Sequence, residues 1–425
     1  MDGNRRLAFL ILKEISEKGT WSNLAVKDRL RREEQAGAPF IRELVYGILR
    51  NQFLLDYNID RFVRSDPGLN ARILLRMGFY QLALMDGVAD HAAVNETVAL
   101  AASLAKGRQG FINAVLRNFQ RDGKRLLYKD LATRFSCAEW ITDILTKAYG
   151  PEKAEQILKS SCKAPPFTVR VNRLKISPKE LSERFEKLGA SSVADPLSDM
   201  CLNVKGSVLD SAEYKEGLFS VQGSASASAV EMLEPRPKDT LLDLCSAPGG
   251  KSCAAAELME DRGDILAADV YPHRVKLTEN EAARLGHGII RTSVADASVF
   301  DPSMEEKWDK VIADVPCSAL GTMAKDPEIK LRRLTAEQAA EYIRSLTEKQ
   351  AAILANACRY VKKGGRVMYS TCTVDPAENE DIISAFLKAH AGYTVEKTRL
   401  LLPDDKGQEG FFTCIIRRND DQHRV

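Results

Sequence analysis

The pattern that most constrains this chain begins at Thr240. From there short candidate strands at 241–244, 265–268, 289–293, 311–313 and 366–370 recur, with helix-periodic stretches between several of them. Short strands joined through helices make a mostly parallel sheet covered by helices. A ligand of such a sheet sits in the crevice at the carboxyl ends of the strands. The longest intervening segment, 335–360, opens with the pair Thr335 and Gln338, which has the spacing of a capping box.

Upstream the periodicity is different. Residues 1–135 read as helical throughout: Leu7, Ala8, Ile11, Leu12 and Ile15 fall on one helical face, as do Ile73, Leu74, Met77, Tyr80, Gln81 and Leu84. Pro67, Gly68, Gly87, Gly107 and Gly110 punctuate the run, which predicts a compact all-α bundle. After Pro165 and Pro166 the pattern changes again. Residues 167–171 alternate like a strand. Ser177, Pro178 and Glu180 then give an N-cap, a first-turn proline and a capping-box acid ahead of Leu181, Phe185 and Leu188, and Gly189 stops the helix. A second extended run covers 201–204. The expected organisation is therefore a helical domain at 1–135, a helical linker with a small α+β module at 136–218, and an α/β domain at 219–425.

At 425 residues, with 44% hydrophobic and 28% charged side chains, the chain has the composition of a globular protein. We find no apolar run of transmembrane length and no signal-peptide core behind Asn4, Arg5 and Arg6, so no membrane association and a cytoplasmic location are the expectation. The nine cysteines include no C-x-x-C pair, which argues against a disulfide scaffold or a zinc knuckle. A formal net charge of +2 says little about nucleic acid. The first 130 residues carry 21 Lys/Arg against 15 Asp/Glu, a surplus compatible with a phosphate-facing surface or with a merely solubilising one.

The segment Asp243-Leu244-Cys245-Ser246-Ala247-Pro248-Gly249-Gly250-Lys251 lies where the first α/β strand ends and a helix begins. Glycines permit a tight turn and close backbone approach, and the helix start offers free amides. It is not a G-x-G-x-x-G loop, and Cys245 stands where a P-loop requires its first glycine. One strand later Asp269 is placed to accept from the two ribose hydroxyls of an adenosine. Asp296, after the third strand, would bind an adenine amino group or simply cap the following helix. Turn chemistry alone is the plainer reading of each acid, and it is their serial arrangement that favours a nucleotide cofactor.

This domain resembles the class I, Rossmann-like methyltransferase fold that uses S-adenosylmethionine, and 243–251 is similar to the cofactor motif of the ribosomal RNA cytosine-C5 methyltransferases. The resemblance implies that the backbone of Cys245, Ser246, Ala247, Pro248, Gly249 and Gly250 holds the methionine part of the cofactor. Lys251 would support the amino-acid or catalytic region, Asp269 the ribose and Asp296 the adenine side, and Arg274 closes the block that starts at Asp269.

Asp314-Val315-Pro316-Cys317 follows the fourth strand and Ser370-Thr371-Cys372 the fifth, so both cysteines open onto one crevice. Free cysteines are usually apolar fillers, and Cys137, Cys162, Cys201, Cys253, Cys358 and Cys414 are read that way; Cys245 packs in the cofactor turn. Pro316-Cys317 and Thr371-Cys372 resemble the two cysteine motifs of the RNA enzymes. There the Thr-Cys sulfur attacks and the Pro-Cys sulfur assists release, which makes Cys372 the expected nucleophile. C5 of cytosine is a poor nucleophile, and sulfur attack at C6 turns the ring into an enamine that can take a methyl group. Asp314 would bind the N3 and N4 edge of the base.

Residues 43–47, 91–96 and 110–117 resemble the helical domain of the antitermination factor NusB. That domain precedes the catalytic one in the bacterial small-subunit (16S) ribosomal RNA cytosine-C5 methyltransferase B family, also called Fmu or Sun; Val169-Arg170-Val171-Asn172 extends the match through the linker module. The resemblance implies 16S rRNA as partner, naked or in an early assembly intermediate, and a monomer. Arg42, Arg50, Arg108 and Arg117 are candidate phosphate contacts, and each equally suits an internal ion pair. The chain departs from the family pattern in three places: Ala319 replaces a glycine, Met323-Ala324-Lys325 replaces adjacent arginines, and Gly223-Ser224 after Gln222 replaces an acidic pair. The competing readings are a cytosine-C5 enzyme for tRNA or another rRNA site and a catalytically weak ribosome-assembly factor. No His/Asp/Glu cluster at ligand spacing accompanies the site, so a metal hydrolase fits poorly.

Overall fold

The computed structural model describes residues 2–33 and 37–420. By its contacts the chain falls into two compact units. One holds the residues up to Ala164 with Thr322–Ala336 and Asp404–Gly407; the other holds Pro165–Gly321, Glu337–Pro403 and the residues from Gln408.

The first unit is helical. Its longer helices are Gly3–Lys18, Ser22–Glu33, Ala38–Arg50, Gln52–Asp60, Leu69–Ala83, Asp90–Leu104, Gln109–Arg121 and Glu139–Ser160, the last interrupted at Gly150. Asp2 caps the first helix by accepting from the Asn4 amide, and Gly19, at φ 63, ends it. Most of the predicted faces are buried: Leu7, Ile11, Ile73, Leu74 and Met77 are all in the core, whereas Ile15 is half-buried and Leu84, just past the end of its helix, is exposed; each large apolar side chain in that core contributes about 1.5–3 kcal/mol. Two glycines let helices approach closely. A Cβ on Gly47 would overlap the Tyr80 ring, and one on Gly78 would overlap Leu116. Gln81 sits in this core because Arg5 Nε donates to its Oε1 at 2.6 Å. Pro67, Gly68, Gly87 and Gly107 lie between helices as expected, whereas Gly110 is in the first turn of Gln109–Arg121.

The second unit contains two sheets. Strands β1 (Phe167–Val171), β2 (Ser191–Ala194), β3 (Cys201–Lys205) and β4 (Phe219–Val221) form an antiparallel sheet in the order β2-β3-β1-β4. The helix Pro178–Lys187 has the predicted capping box: Glu180 N donates to Ser177 Oγ, and the Glu180 carboxylate accepts from Ser177 N. The larger sheet comprises β5 (Thr240–Asp243), β6 (Asp264–Asp269), β7 (Ile290–Val294), β8 (Trp308–Asp314), β9 (Val361–Thr371), β10 (Tyr393–Leu401) and β11 (Phe411–Arg418). Its order is β10-β11-β9-β8-β5-β6-β7. The five strands from β9 to β7 are parallel to one another; β11 and β10 add an antiparallel edge. Apolar residues cover both faces of the central strands β5, β6 and β8, which read as short continuous apolar runs instead of alternating, whereas the edge strand β7 is only partly covered and carries Arg291, Thr292 and Ser293. The order reverses beside β5, so a crevice opens at the carboxyl ends of β5, β6 and β8. Among the described residues no helix is long and apolar enough to cross a membrane.

Candidate active site

The turn after β5 is held by its backbone. Leu244 N donates to Ile312 O at 3.0 Å, Ser246 N to Ala268 O at 2.8 Å and Gly249 N to Ser246 O at 2.7 Å, and the Ala247–Pro248 peptide is cis. Gly249 has φ 105, a conformation that strains any L side chain, and a Cβ there would stand a tight 3.1 Å from Thr278 Cα. Residues Cys245 to Gly250 thereby bring peptide groups, not side chains, to the start of the helix Gly250–Leu258. Below the turn Asp243 is fully buried. It accepts from Ser252 Oγ at 2.6 Å, and burial pushes its carboxyl up to about 7 against the pull of that hydroxyl.

At the end of β6 Asp269 is buried. Its Oδ2 accepts from Ala247 N at 3.3 Å, and its Oδ1 lies 3.2 Å from Arg274 Nε; Arg274 also reaches Ala247 O at 3.3 Å. These long contacts leave lone pairs on the carboxylate for further donors. Asp296 is exposed after β7. Its Oδ1 accepts from Ser298 N and Ser298 Oγ, bonds that hold the carboxyl below its usual range and that are turn chemistry.

β8 and β9 pair in parallel with Asp314 opposite Ser370. Asp314 Oδ1 accepts from Ser370 Oγ at 2.7 Å and Oδ2 from Lys251 Nζ at 2.6 Å, and Lys251 also lies 5.3 Å from the centre of the Phe411 ring. The two strand-end loops are tied together, with Val315 N donating to Ser370 O and Gly321 N to Cys372 O. The result is that Cys317 Sγ and Cys372 Sγ, 55 residues apart in sequence, lie 3.4 Å apart. Both are half-buried. The hydrogen bond to the Cys372 sulfur, with burial, holds the Cys317 thiol well above its ordinary value. Of the other cysteines, Cys137, Cys201, Cys253, Cys358 and Cys414 are buried; Cys162 and Cys245 are half-buried.

The three departures have structural counterparts. Ala319 adopts φ 61, the left-handed conformation that glycine takes more easily. Met323, Ala324 and Lys325 belong to the helical unit. Gly223 caps the helix Ser224–Leu233, and the Glu409 carboxylate fills the place of its missing side chain, with Oε2 2.7 Å from an added Cβ. Of the candidate phosphate contacts, Arg42 and Arg108 are exposed and Arg117 is half-buried. Arg50 is buried, and its Nε donates to Ala324 O at 2.8 Å. Arg50 is therefore an internal tie of the helical unit.

Sequence reasoning missed two buried clusters. Arg170, on β1, makes a bidentate pair with Glu257 at 2.8 and 3.0 Å, donates to Gly250 O at 2.7 Å and also bonds Gln222. Burial pushes the Glu257 carboxyl up, but Arg170 overrides it and holds the group below its ordinary value. Arg170 stands between two valines of a strand, and a guanidinium there is the one signal that marked it. Glu378 and Gln350, beneath the cysteine loops, carried no signal at all.

A glycine turn with free helix-start amides, a buried acid one strand away, and reactive side chains at the next two strand ends define a class I methyltransferase domain. The donor set fits S-adenosylmethionine, because the glycine turn admits close backbone approach and Asp269 retains acceptor capacity. Residues 230–417 match the family described as 16S rRNA methyltransferase RsmB/F, residues 2–121 the NusB family, and residues 137–209 the RsmF/B-like ferredoxin-like domain. The probable ribosomal RNA small subunit methyltransferase B of Bacillus subtilis is 32% identical over 97% of this chain and 98% of its own. The ribosomal RNA small subunit methyltransferase B of Photorhabdus laumondii is 32% identical over 89% and 90%. Among solved structures, that of PH0851 superposes with a TM-score of 0.80 at 26% identity over 97% of both chains. A methyltransferase homolog protein from Pyrococcus horikoshii gives 0.59 at 26% over 68% of this chain and 98% of that one. The chain belongs to the ribosomal RNA small subunit methyltransferase B family, a family of RNA methyltransferases that depend on S-adenosylmethionine.

Proposed function

We propose that this chain methylates C5 of a cytosine in 16S rRNA through a covalent bond between Cys372 and C6 of the base. The observation that carries the reading is the 3.4 Å approach of the two sulfurs beside Asp314. The Cys372 thiolate attacks C6, an S–C6 bond forms, and the ring electrons move toward C5. Asp314, oriented by Lys251 and Ser370, holds the N3 and N4 edge. When bound, S-adenosylmethionine supplies the methyl group that C5 takes. A base then removes the C5 proton, the C5–C6 double bond returns, and the S–C6 electron pair goes back to the Cys372 sulfur. Cys317, whose thiol the bond to the Cys372 sulfur and burial hold above its ordinary value, assists this release.

The backbone from Cys245 to Gly250 and Lys251 would hold the methionine part of the cofactor, Asp269 with Arg274 the ribose side, and Asp296, through the acceptor capacity that Ser298 leaves, the adenine. Residues 1–135 would serve as the RNA-binding domain, with Arg42, Arg108 and Arg117 as phosphate contacts. The protein would act as a cytoplasmic monomer on naked RNA or on an early assembly intermediate.

The test is radiolabel transfer to small-subunit RNA and to tRNA, with trapping on 5-fluorocytosine RNA. Cys372→Ala should abolish both transfer and trapping, and Cys317→Ala should leave RNA attached to the protein. Trapping by Cys372→Ala but not by Cys317→Ala reverses the roles. Transfer to tRNA alone moves the substrate, and no transfer to any RNA favours an assembly factor without catalysis.

A further inference from the structure

Beneath the cysteine loops lies a polar cluster that the reaction above does not use. Glu378 ends the turn Pro376–Glu378 and is fully buried. Its Oε2 accepts from Ser318 N at 2.9 Å and from Gln350 Nε2 at 2.8 Å, and its Oε1 accepts from Ser318 Oγ. Ser318 Oγ lies in turn 2.7 Å from Thr373 Oγ1. Ser318 follows Cys317 and Thr373 follows Cys372, so one carboxyl ties together the residues next to both sulfurs. The flanks on the other side are held by the same group of residues. Gln350 Nε2 also donates to Pro316 O at 3.0 Å, and Thr371 Oγ1 donates to Asn379 Oδ1 at 2.6 Å. A buried carboxyl is costly unless fully hydrogen-bonded, and all the donors on this one come from the cysteine loops or from the helix behind them. Burial pushes its proton affinity up, as expected for a group with no cation beside it.

We propose that Glu378 is a positioning residue for the methyl-transfer reaction, setting Cys317 against Cys372 by holding Ser318 and, through its hydroxyl, Thr373. The inference rests on the two-cysteine reading above.

A glutamine can reproduce the cluster. Its amide oxygen in the place of Oε2 accepts from Ser318 N and Gln350, while its NH2 in the place of Oε1 donates to Ser318 Oγ, whose own proton, given to Oε1 in the wild type, turns to Thr373 Oγ1. Alanine removes every acceptor. Glu378→Ala should therefore lower kcat about 10- to 100-fold, the scale of a roughly 1 Å misplacement of reacting groups. KM for RNA and for cofactor should hold within about twofold, because neither binding surface changes. The covalent RNA–protein adduct should accumulate in Glu378→Ala as in Cys317→Ala. Glu378→Gln should rescue kcat to within about threefold of wild type with an unshifted pH profile. Thr373→Val, which cuts the bridge but leaves Glu378 paired, should move kcat in the same direction by less, and it serves if Glu378→Ala does not fold. Wild-type adduct turnover in Glu378→Ala or, failing that, wild-type kcat in Thr373→Val overturns the proposal. So does a Glu378→Gln variant as slow as the alanine, since that requires the carboxyl's own proton chemistry. If Cys317→Ala accumulates no adduct while wild type methylates, the two-cysteine reading itself fails, and that failure is visible without any Glu378 variant.

Discussion

Ala319 holds φ 61 two residues beyond Cys317. The left-handed conformation costs an L-residue about 1–2 kcal/mol, part of which a glycine would return as extra freedom of the unfolded chain. Ala319→Gly should therefore stabilise the protein by up to about 1 kcal/mol, read as a higher urea midpoint at unchanged slope. A lower midpoint would mean that the methyl group makes a packing contact worth more than the strain. Asp243 is a second residue with a measurable signature. Its carboxyl titrates at about 7 in the fold, far above its unfolded value, so the native state binds the proton more tightly. Such a group contributes stability that is fully present at acid pH and is lost as pH rises through about 7. Asp243→Asn cannot titrate. The melting temperature of wild type minus that of Asp243→Asn should fall between pH 5 and pH 8, and a constant difference would contradict the raised value.

At the scale of elements, β1 is joined to the cofactor turn by the Arg170 guanidinium, which reaches both Glu257 and Gly250 O. Arg170→Ala leaves Glu257 buried without its cation and should cost about 3–5 kcal/mol. Pairing Arg170→Met with Glu257→Leu should recover much of that in urea unfolding, while cofactor affinity stays low because Gly250 O has lost its donor. Full recovery of affinity would show that the turn holds its shape unaided. The central parallel strands β5, β6 and β8 were legible in the sequence because burial on both faces makes them short continuous apolar runs. β1 was legible by alternation and β3 as a short extended run. β2 and β4 are short, and β10 is a partly exposed edge strand, so none of them carries a run that stands out. The cysteine pair was legible because each sulfur sits at the end of a recognisable strand. Glu378 was not: in Pro376-Ala377-Glu378-Asn379-Glu380 an acid reads as solvated, and only the fold puts Ser318 and Gln350 around it. The two acids beyond Asp243 show the same limit from the other side, since Asp269 is buried and Asp296 is exposed although each follows a strand.

At the scale of the whole molecule, the helical unit is assembled from pieces distant in sequence. Lys330, fully buried, donates to Ser161 Oγ at 3.0 Å and to Ser161 O at 3.4 Å; Ala138 N donates to Lys330 O at 2.7 Å; and Trp140 Nε1 donates to Arg332 O at 2.7 Å. Cys137 is covered in the same region, and burial pushes its thiol up to about 12. A fragment ending at Ala164 lacks residues 322–336, so its Cys137 should be alkylated at least about tenfold faster than in the full chain, as expected for a locally opened segment. Equal protection would show that the first 164 residues close over Cys137 by themselves. The insertion also sets an order of events during synthesis. At roughly 5–20 residues per second the ribosome needs about 10–30 s to travel from Ala164 to Ala336. Through that interval the nascent helical bundle lacks the Lys330 and Arg332 carbonyls that accept from Ala138 N and Trp140 Nε1, and it receives them only when a segment encoded inside the methyltransferase portion emerges.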